Sequence, residues 1–128
     1  MKREVIVPPG WAMPLSMYSP AIKVGNAVHV AGIVARNPAG ETVGIGDCGA
    51  QTRCVLDIIE RILAAAGGSL ADIAITQIIL KSMADWPQMN SVFAEYFPHE
   101  PPARYSFEAN LARPEFLVEI VATAYLTH

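Results

Sequence analysis

The longest patterned stretch of the chain covers residues 50–66, where Val55, Ile59, Ile62 and Ala66, with Leu56 and Leu63 alongside, recur at helical spacing. Arg53, Asp57, Glu60 and Arg61 take the other side, so the pattern predicts an amphipathic helix. Asp47 is its expected N-cap, and Gly67-Gly68 stops it because glycine adopts the left-handed C-cap at little cost. A second helix is predicted behind Asp85 as N-cap, with Pro87 in its first turn, and Met89, Val92, Phe93, Tyr96 and Phe97 form its apolar face. Pro98, Pro101 and Pro102 end it. Two β-branched runs, 21–24 and 27–33, flank Gly25-Asn26 and predict a hairpin with a primed turn. Residues 5–7 predict a short strand closed by Pro8-Pro9-Gly10, 73–80 a buried strand, and 103–109 and 116–126 the last two strands. Between these elements, residues 11–20, with Pro14 and Pro20, predict an irregular loop, and Asn37-Pro38-Ala39-Gly40 a turn.

This order has too few crossovers for a doubly wound fold and predicts an α+β architecture, with two helices packed on one face of a mixed sheet. A chain of 128 residues holds one such domain, residues 1–128. The other sheet face must be polar or meet a partner, and the nearly all-apolar strand 116–126 favours the partner. Composition points the same way, since 52% hydrophobic against 16% charged residues is apolar for so small a globule. A net charge of −3 with scattered Lys and Arg provides no basic stripe, which argues against nucleic-acid binding. Met1-Lys2-Arg3-Glu4 precedes only the three-residue apolar stretch Val5-Ile6-Val7, and no run approaches the roughly 20 residues of a membrane helix. A soluble cytoplasmic protein is therefore expected, with no membrane partner.

Against this apolar background two charges are conspicuous. Arg104 follows Pro101-Pro102 and opens a strand, while Glu119 is a lone carboxylate between Val118 and Ile120. Ionised groups in segments built for burial are costly unless something uses them. Arg104 offers a bidentate fork for a carboxylate, although by composition alone it reads as an ordinary strand-end arginine. If Glu119 is buried and unpaired its pKa rises, which suits a group that takes and returns a proton near neutral pH. Leu117 and Val121 share its face and argue against simple solvent exposure. Ser106 shares the Arg104 face by strand alternation and could hold a water or a polar substrate group. Glu108 continues that face in a structural or solvated role. His29, His99 and His128, and Cys48 with Cys54, have no spacing suited to a triad or zinc site, so no metal is expected. No glycine motif cradles phosphate. Of the aromatic residues, which generally anchor cores or interfaces, Tyr18 in its proline-flanked loop is the one open to a ligand.

Tyr18, Val30-Ala31-Gly32, Ala50-Gln51-Thr52-Arg53, Ala65-Ala66-Gly67-Gly68, Asn90 with Tyr96-Phe97, Pro102-Ala103-Arg104 and Val118-Glu119-Ile120 together resemble the Rid family of reactive intermediate deaminases, the YjgF-type proteins. The likeness runs from about residue 5 to residue 126. Residues 50–53 and 97–104 look most like the branch of 3-aminoacrylate deaminases. The resemblance implies a chorismate-mutase-like protomer in a homotrimer, with its sheets facing inward and its ligand clefts between subunits. It also implies that Arg104 binds the carboxylate of a small imine or enamine acid while Glu119 activates the attacking water. Tyr18, Asn90 and the backbone N–H of Gly32 would line the cleft, Ser106 standing where many members carry cysteine and Ala31 where several carry serine. No cofactor is implied. A non-catalytic trimer binding carboxylate metabolites or protein clients is the alternative. A third reading is a deaminase of 2-aminomuconate-type ring-cleavage products, in which Tyr105 and Phe107 reshape the pocket.

Overall fold

The computed structural model describes residues 1–127, so His128 lies outside the described residues. Six strands and two helices follow in the order β1 (Arg3–Ile6), β2 (Ala21–Val24), β3 (Ala27–Val34), α1 (Cys48–Ala65), β4 (Ile73–Leu80), α2 (Trp86–Tyr96), β5 (Ala103–Glu108) and β6 (Val118–Tyr125). They form one mixed sheet ordered β1-β2-β3-β6-β4-β5, antiparallel at every pairing except β4 with β5. The helices pack together on one face, as the apolar periodicity predicts. No helix among the described residues is long and apolar enough to cross a membrane.

The termini of α1 follow local chemistry. Asp47 Oδ1 accepts from the Ala50 N–H at 3.0 Å. At the other end Gly68 donates to the Leu63 carbonyl at 2.8 Å and Gly67 to Ala64 at 3.1 Å, which satisfies two carbonyls the helix leaves open. Gly67 does this at φ +91°, and a β-carbon on Gly68 would collide with the Leu126 side chain. Two predicted details change. Asp85 precedes α2 but makes no capping bond, because the chain arrives through a 3-10 turn, Met83–Asp85, whose own start is capped by Ser82 Oγ accepting from Ala84. The first strand begins at Arg3, earlier than predicted, since its extent is set by pairing from Arg3↔Val24 to Ile6↔Ala21.

Alternation along β6 sends Val118, Ile120, Ala122 and Ala124 into the core against Val55, Leu56, Ile59 and Ile62 of α1. Fully burying a side chain of this kind contributes about 1.5–3 kcal/mol, so this layer dominates stability. The opposite face is apolar and open: Tyr105, Phe107 and Tyr125 remain 50%, 44% and 49% exposed. A surface of that character suits contact with another chain.

One polar side chain in the core ties three segments together. Gln51, wholly buried on α1, donates to the carbonyls of Gly44 (3.2 Å) and Glu115 (2.8 Å) and accepts from the Leu117 N–H (2.8 Å). It thus holds the chain just before β6 and fixes where Glu119 enters the sheet. Gln51→Leu would preserve bulk but strand these groups without water, and each dry group costs about 1–3 kcal/mol. The expected outcome in denaturant unfolding is a loss of about 3 kcal/mol or more with an unchanged m-value; a loss below about 1 kcal/mol would show that the segments hold without the amide.

Candidate active site

Arg104 stands on β5, the last strand of the sheet, and its direction follows from register. It pairs with Thr76, which pairs in turn with Ala122, and both of those are buried on the helix side. Arg104 therefore rises toward α2. Trp86, Asn90 and Phe93 of α2, at i, i+4 and i+7, form one stripe that receives it. Asn90 Oδ1 accepts from Arg104 Nη2 at 2.6 Å, and the guanidinium carbon lies 5.4 Å from the Trp86 ring centroid and 4.8 Å from that of Phe93. Cation–π contact with two rings fixes the plane of the fork while one donor is committed, and the rest can hold an oxyanion. No carboxylate of the described residues lies within 4 Å of it, and the ion pair found among them is the exposed Arg53–Glu95. Ser106 shares this side and is half-buried, whereas Glu108 accepts from the Met83 N–H at 2.8 Å, a structural bond.

Glu119 belongs to the other side of the sheet. It is half-buried, it accepts no hydrogen bond from the described residues, and burial alone raises its pKa from the ordinary carboxylate value. Beside it β3 carries a bulge: Val30 pairs with Ala122 and Ile33 with Ile120, so Ala31 and Gly32 together oppose Val121. The extra residue lets both Val30 and Ile33 face the core although they are three apart, and it presents Gly32 to the carboxylate. A β-carbon on Gly32 would overlap the Glu119 carboxylate, its nearest non-oxygen neighbour Cδ lying at 2.9 Å. Only glycine lets the acid lie over this backbone. A cavity of about 530 Å³ opens alongside, walled by Gly32, Val34, Trp11, Met13, Tyr18 and Arg36. Tyr18 leans over it from the irregular loop, its hydroxyl accepting from Arg36 Nη2 at 3.4 Å.

The predicted convergence of Arg104 and Glu119 on one pocket does not occur within a single chain. Glu119 pairs with Ile79, which pairs with Phe107, so parity puts Glu119 on the face of Phe107 and Arg104 on the opposite one. Strand β4 also separates their strands. Tyr105 and Phe107, read from sequence as neighbours of the Arg104 pocket, turn to the open face with their rings stacked 6.4 Å apart. The candidate residues thus fall into two clusters: Arg104, Asn90 and Ser106 in one, Glu119, Gly32 and Tyr18 in the other. Trp86 and Phe93 were legible only as core aromatics, although their spacing from Asn90 marks the same helical stripe. Arg36 gave no sequence signal. The cysteines are inert by comparison: burial raises the Cys48 thiol to about 11 and pushes Cys54 up as well. His29 is exposed on β3, and no cluster among the described residues has the ligands for a metal ion.

Comparison with known proteins gives this geometry a lineage. A family model described as endoribonuclease L-PSP matches residues 11–126. The chain is 45% identical over 126 residues to the 3-aminoacrylate deaminase RutC of Acinetobacter baylyi, covering 98% of this chain and 100% of that protein. It superposes on YyfA of Yersinia pestis, a Rid protein, with TM-score 0.90, 30% identity, and coverage of 98% and 100%. The YjgF gene product of E. coli gives TM-score 0.86 at 27% identity, covering 95% and 98%. Because the family match spans Tyr18, Gly32, Asn90, Arg104, Ser106 and Glu119 in one continuous stretch, the chain belongs to the endoribonuclease L-PSP family, the YjgF or Rid family.

Proposed function

We propose that this protein is a cytoplasmic imine or enamine deaminase that hydrolyses a small carboxylate-bearing reactive intermediate, such as 3-aminoacrylate or 2-iminopropionate, to an oxo acid and ammonia. The observation that carries this reading is the half-buried Glu119, a base whose proton affinity is raised by burial, set over the glycine of a strand bulge. The 45% identity to a 3-aminoacrylate deaminase supports the same chemistry.

In the proposed reaction the Arg104 fork grips the substrate carboxylate and Asn90 holds the fork. Glu119 takes a proton from water as the water oxygen bonds to the imine carbon, and passes that proton to the imine nitrogen to give the carbinolamine. Glu119 then takes the carbinolamine O–H proton and delivers it to nitrogen, so that the C–N bond breaks and ammonia leaves as the C=O forms. An enamine substrate first takes a proton on carbon to become the imine. The Gly32 N–H, in a bulge that frees backbone groups from the ladder, serves as donor to the substrate, with Tyr18 and Ser106 completing the walls. A carboxylate and a guanidinium suffice for this hydrolysis, and the proposal includes no cofactor.

The half-sites are united between copies of the chain, Arg104 of one meeting Glu119 of the next, in a homotrimer closed by repeating one head-to-tail contact. The open apolar face with Tyr105, Phe107 and Tyr125 supports such an assembly. Arg104→Ala should raise KM steeply, and Glu119→Ala should lower kcat by roughly 10²-fold or more, measured as ammonia release from freshly generated imine. Full ammonia release by both variants would falsify the assignment. Stabilisation by carboxylates without any ammonia release would make the protein a binder instead.

Complementation tests the sharing of sites. At substrate well below the raised KM, mixing Arg104→Ala and Glu119→Ala chains, each strongly impaired alone, should restore about a quarter of wild-type activity, because a random ring brings an intact Glu119 next to an intact Arg104 at that frequency. Sites confined to one chain would stay impaired in every mixture. A pH profile gives a further check. With the neighbouring cation removed, the Glu119 carboxylate is left to burial alone, so its charged form becomes less favourable and its pKa rises. The acid limb of kcat/KM in Arg104→Ala should therefore move to higher pH than in the wild type; an unmoved limb would place the two groups out of electrostatic reach.

A further inference from the structure

Three polar side chains are wholly buried among the described residues, and two of them are accounted for. Gln51 makes the three bonds given above, and Thr52 Oγ1 donates to the Cys48 carbonyl at 2.8 Å. The third, Thr76, is 0% exposed, and its hydroxyl meets no hydrogen-bond partner among the described residues. A dry hydroxyl is costly, and valine would fill the same space without that cost, so a threonine here needs a reason. Its place in the sheet supplies one. Every other buried residue that β3, β4 and β6 turn to the helices is apolar. Thr76 occupies the rung of this layer that faces a cation, since it pairs directly with Arg104, and Ser106 follows two residues along β5 on the same side. Neighbouring strands lie about 4.8 Å apart, so the hydroxyl sits beside the root of the Arg104 side chain.

The donors of that side chain exceed the acceptors around it. A guanidinium carries five N–H donors, of which Asn90 Oδ1 takes one at 2.6 Å and a carboxylate held in the fork takes two. The others are left to the Trp86 and Phe93 rings, whose faces attract the cation but present no lone pair. An acid placed there would neutralise the fork and compete with the substrate, whereas a hydroxyl accepts a hydrogen bond and leaves the charge intact. We propose that Thr76 is a positioning residue for the carboxylate grip: its hydroxyl accepts an N–H that Arg104 turns toward the sheet when a substrate carboxylate takes the outer edge of the fork. This rests on the grip assigned to Arg104 in the proposed reaction and adds a residue to it. Thr76 is closed off from solvent and touches no substrate, so the bonds made and broken at the imine carbon are unchanged. A brace of this kind holds the fork equally in the ground state and the transition state, and it therefore acts on affinity and not on proton transfer.

Thr76→Val isolates the hydroxyl. By calorimetry the valine variant should bind pyruvate, a small 2-oxo carboxylate, about ten-fold more weakly than the wild type, the scale of one hydrogen bond to a charged group. Its KM for 2-iminopropionate, generated in the assay from alanine by an amino-acid oxidase, should rise by a similar factor while kcat stays within about two-fold. Its Tm should equal or exceed that of the wild type, because a dry hydroxyl has been removed. Thr76→Ser keeps the hydroxyl and should keep the wild-type affinity. Pyruvate affinity and KM unmoved in the valine variant would overturn the proposal, and so would a serine variant as weak as the valine one, including where valine loosens the fold. Wild-type protein that binds pyruvate yet leaves the imine to decay at its uncatalysed rate ends the deaminase reading, while the calorimetric comparison still decides the role of Thr76. Wild-type protein that binds no pyruvate ends the carboxylate grip and this proposal with it.

Discussion

Side-chain parity across a β-sheet is the constraint from which the rest of this structure follows. Successive residues of a strand point to opposite faces, and paired residues of adjacent strands share a face. Register Thr76↔Arg104 against Ile79↔Glu119 therefore commits the cation and the acid to opposite faces, as firmly as the core itself is committed. Moving Glu119 to the other face would require a one-residue slip of β6, and that slip would turn Val118, Ile120, Ala122 and Ala124 out of the core. The division of the site is thus tied to the hydrophobic layer, and the proposed assembly is the way a second copy resolves it.

The two half-sites are stabilised by different physics. Arg104 keeps its charge in a half-buried position because Trp86 and Phe93 offer ring faces and Asn90 an acceptor, so the guanidinium is oriented without being neutralised. Glu119 receives no such help. Its carboxylate lies over the Gly32 backbone with no partner, and the cost of that position appears as raised proton affinity. An uncompensated acid and a partly free guanidinium on one chain are complementary, and each supplies what the other lacks.

Rigidity at the acid comes from an unexpected element. Gln51 belongs to α1, yet its amide fixes the backbone at Glu115 and Leu117 just before β6 begins. The helix thereby sets the register in which Glu119 enters the sheet, and the bulge in β3 adjusts the neighbouring strand to receive it. Packing, backbone hydrogen bonding and the placement of a titratable group are here one problem with a shared solution.

Local pattern was enough to read both helices, the Gly25-Asn26 hairpin, the Asp47 cap and the Gly67-Gly68 stop, because each rests on contacts within a few residues. It also singled out Glu119, since a lone carboxylate in an apolar strand is visible without any fold, as well as Ser106 and Tyr18, and resemblance to a known family added Gly32 and Asn90. What pattern could not reach were the relations that depend on pairing. Alternation put Arg104 and Ser106 on one side correctly, but which side that was relative to Glu119 depended on β4 lying between their strands. Gln51 as a cross-link and Arg36 as an unpaired cation likewise exist only through neighbours dozens of residues away. The amino-acid order by itself determined the elements, their amphipathic faces and the identity of the charged groups. Tertiary structure alone decided which groups meet, because parity, bulge and register are properties of paired strands and no single strand contains them.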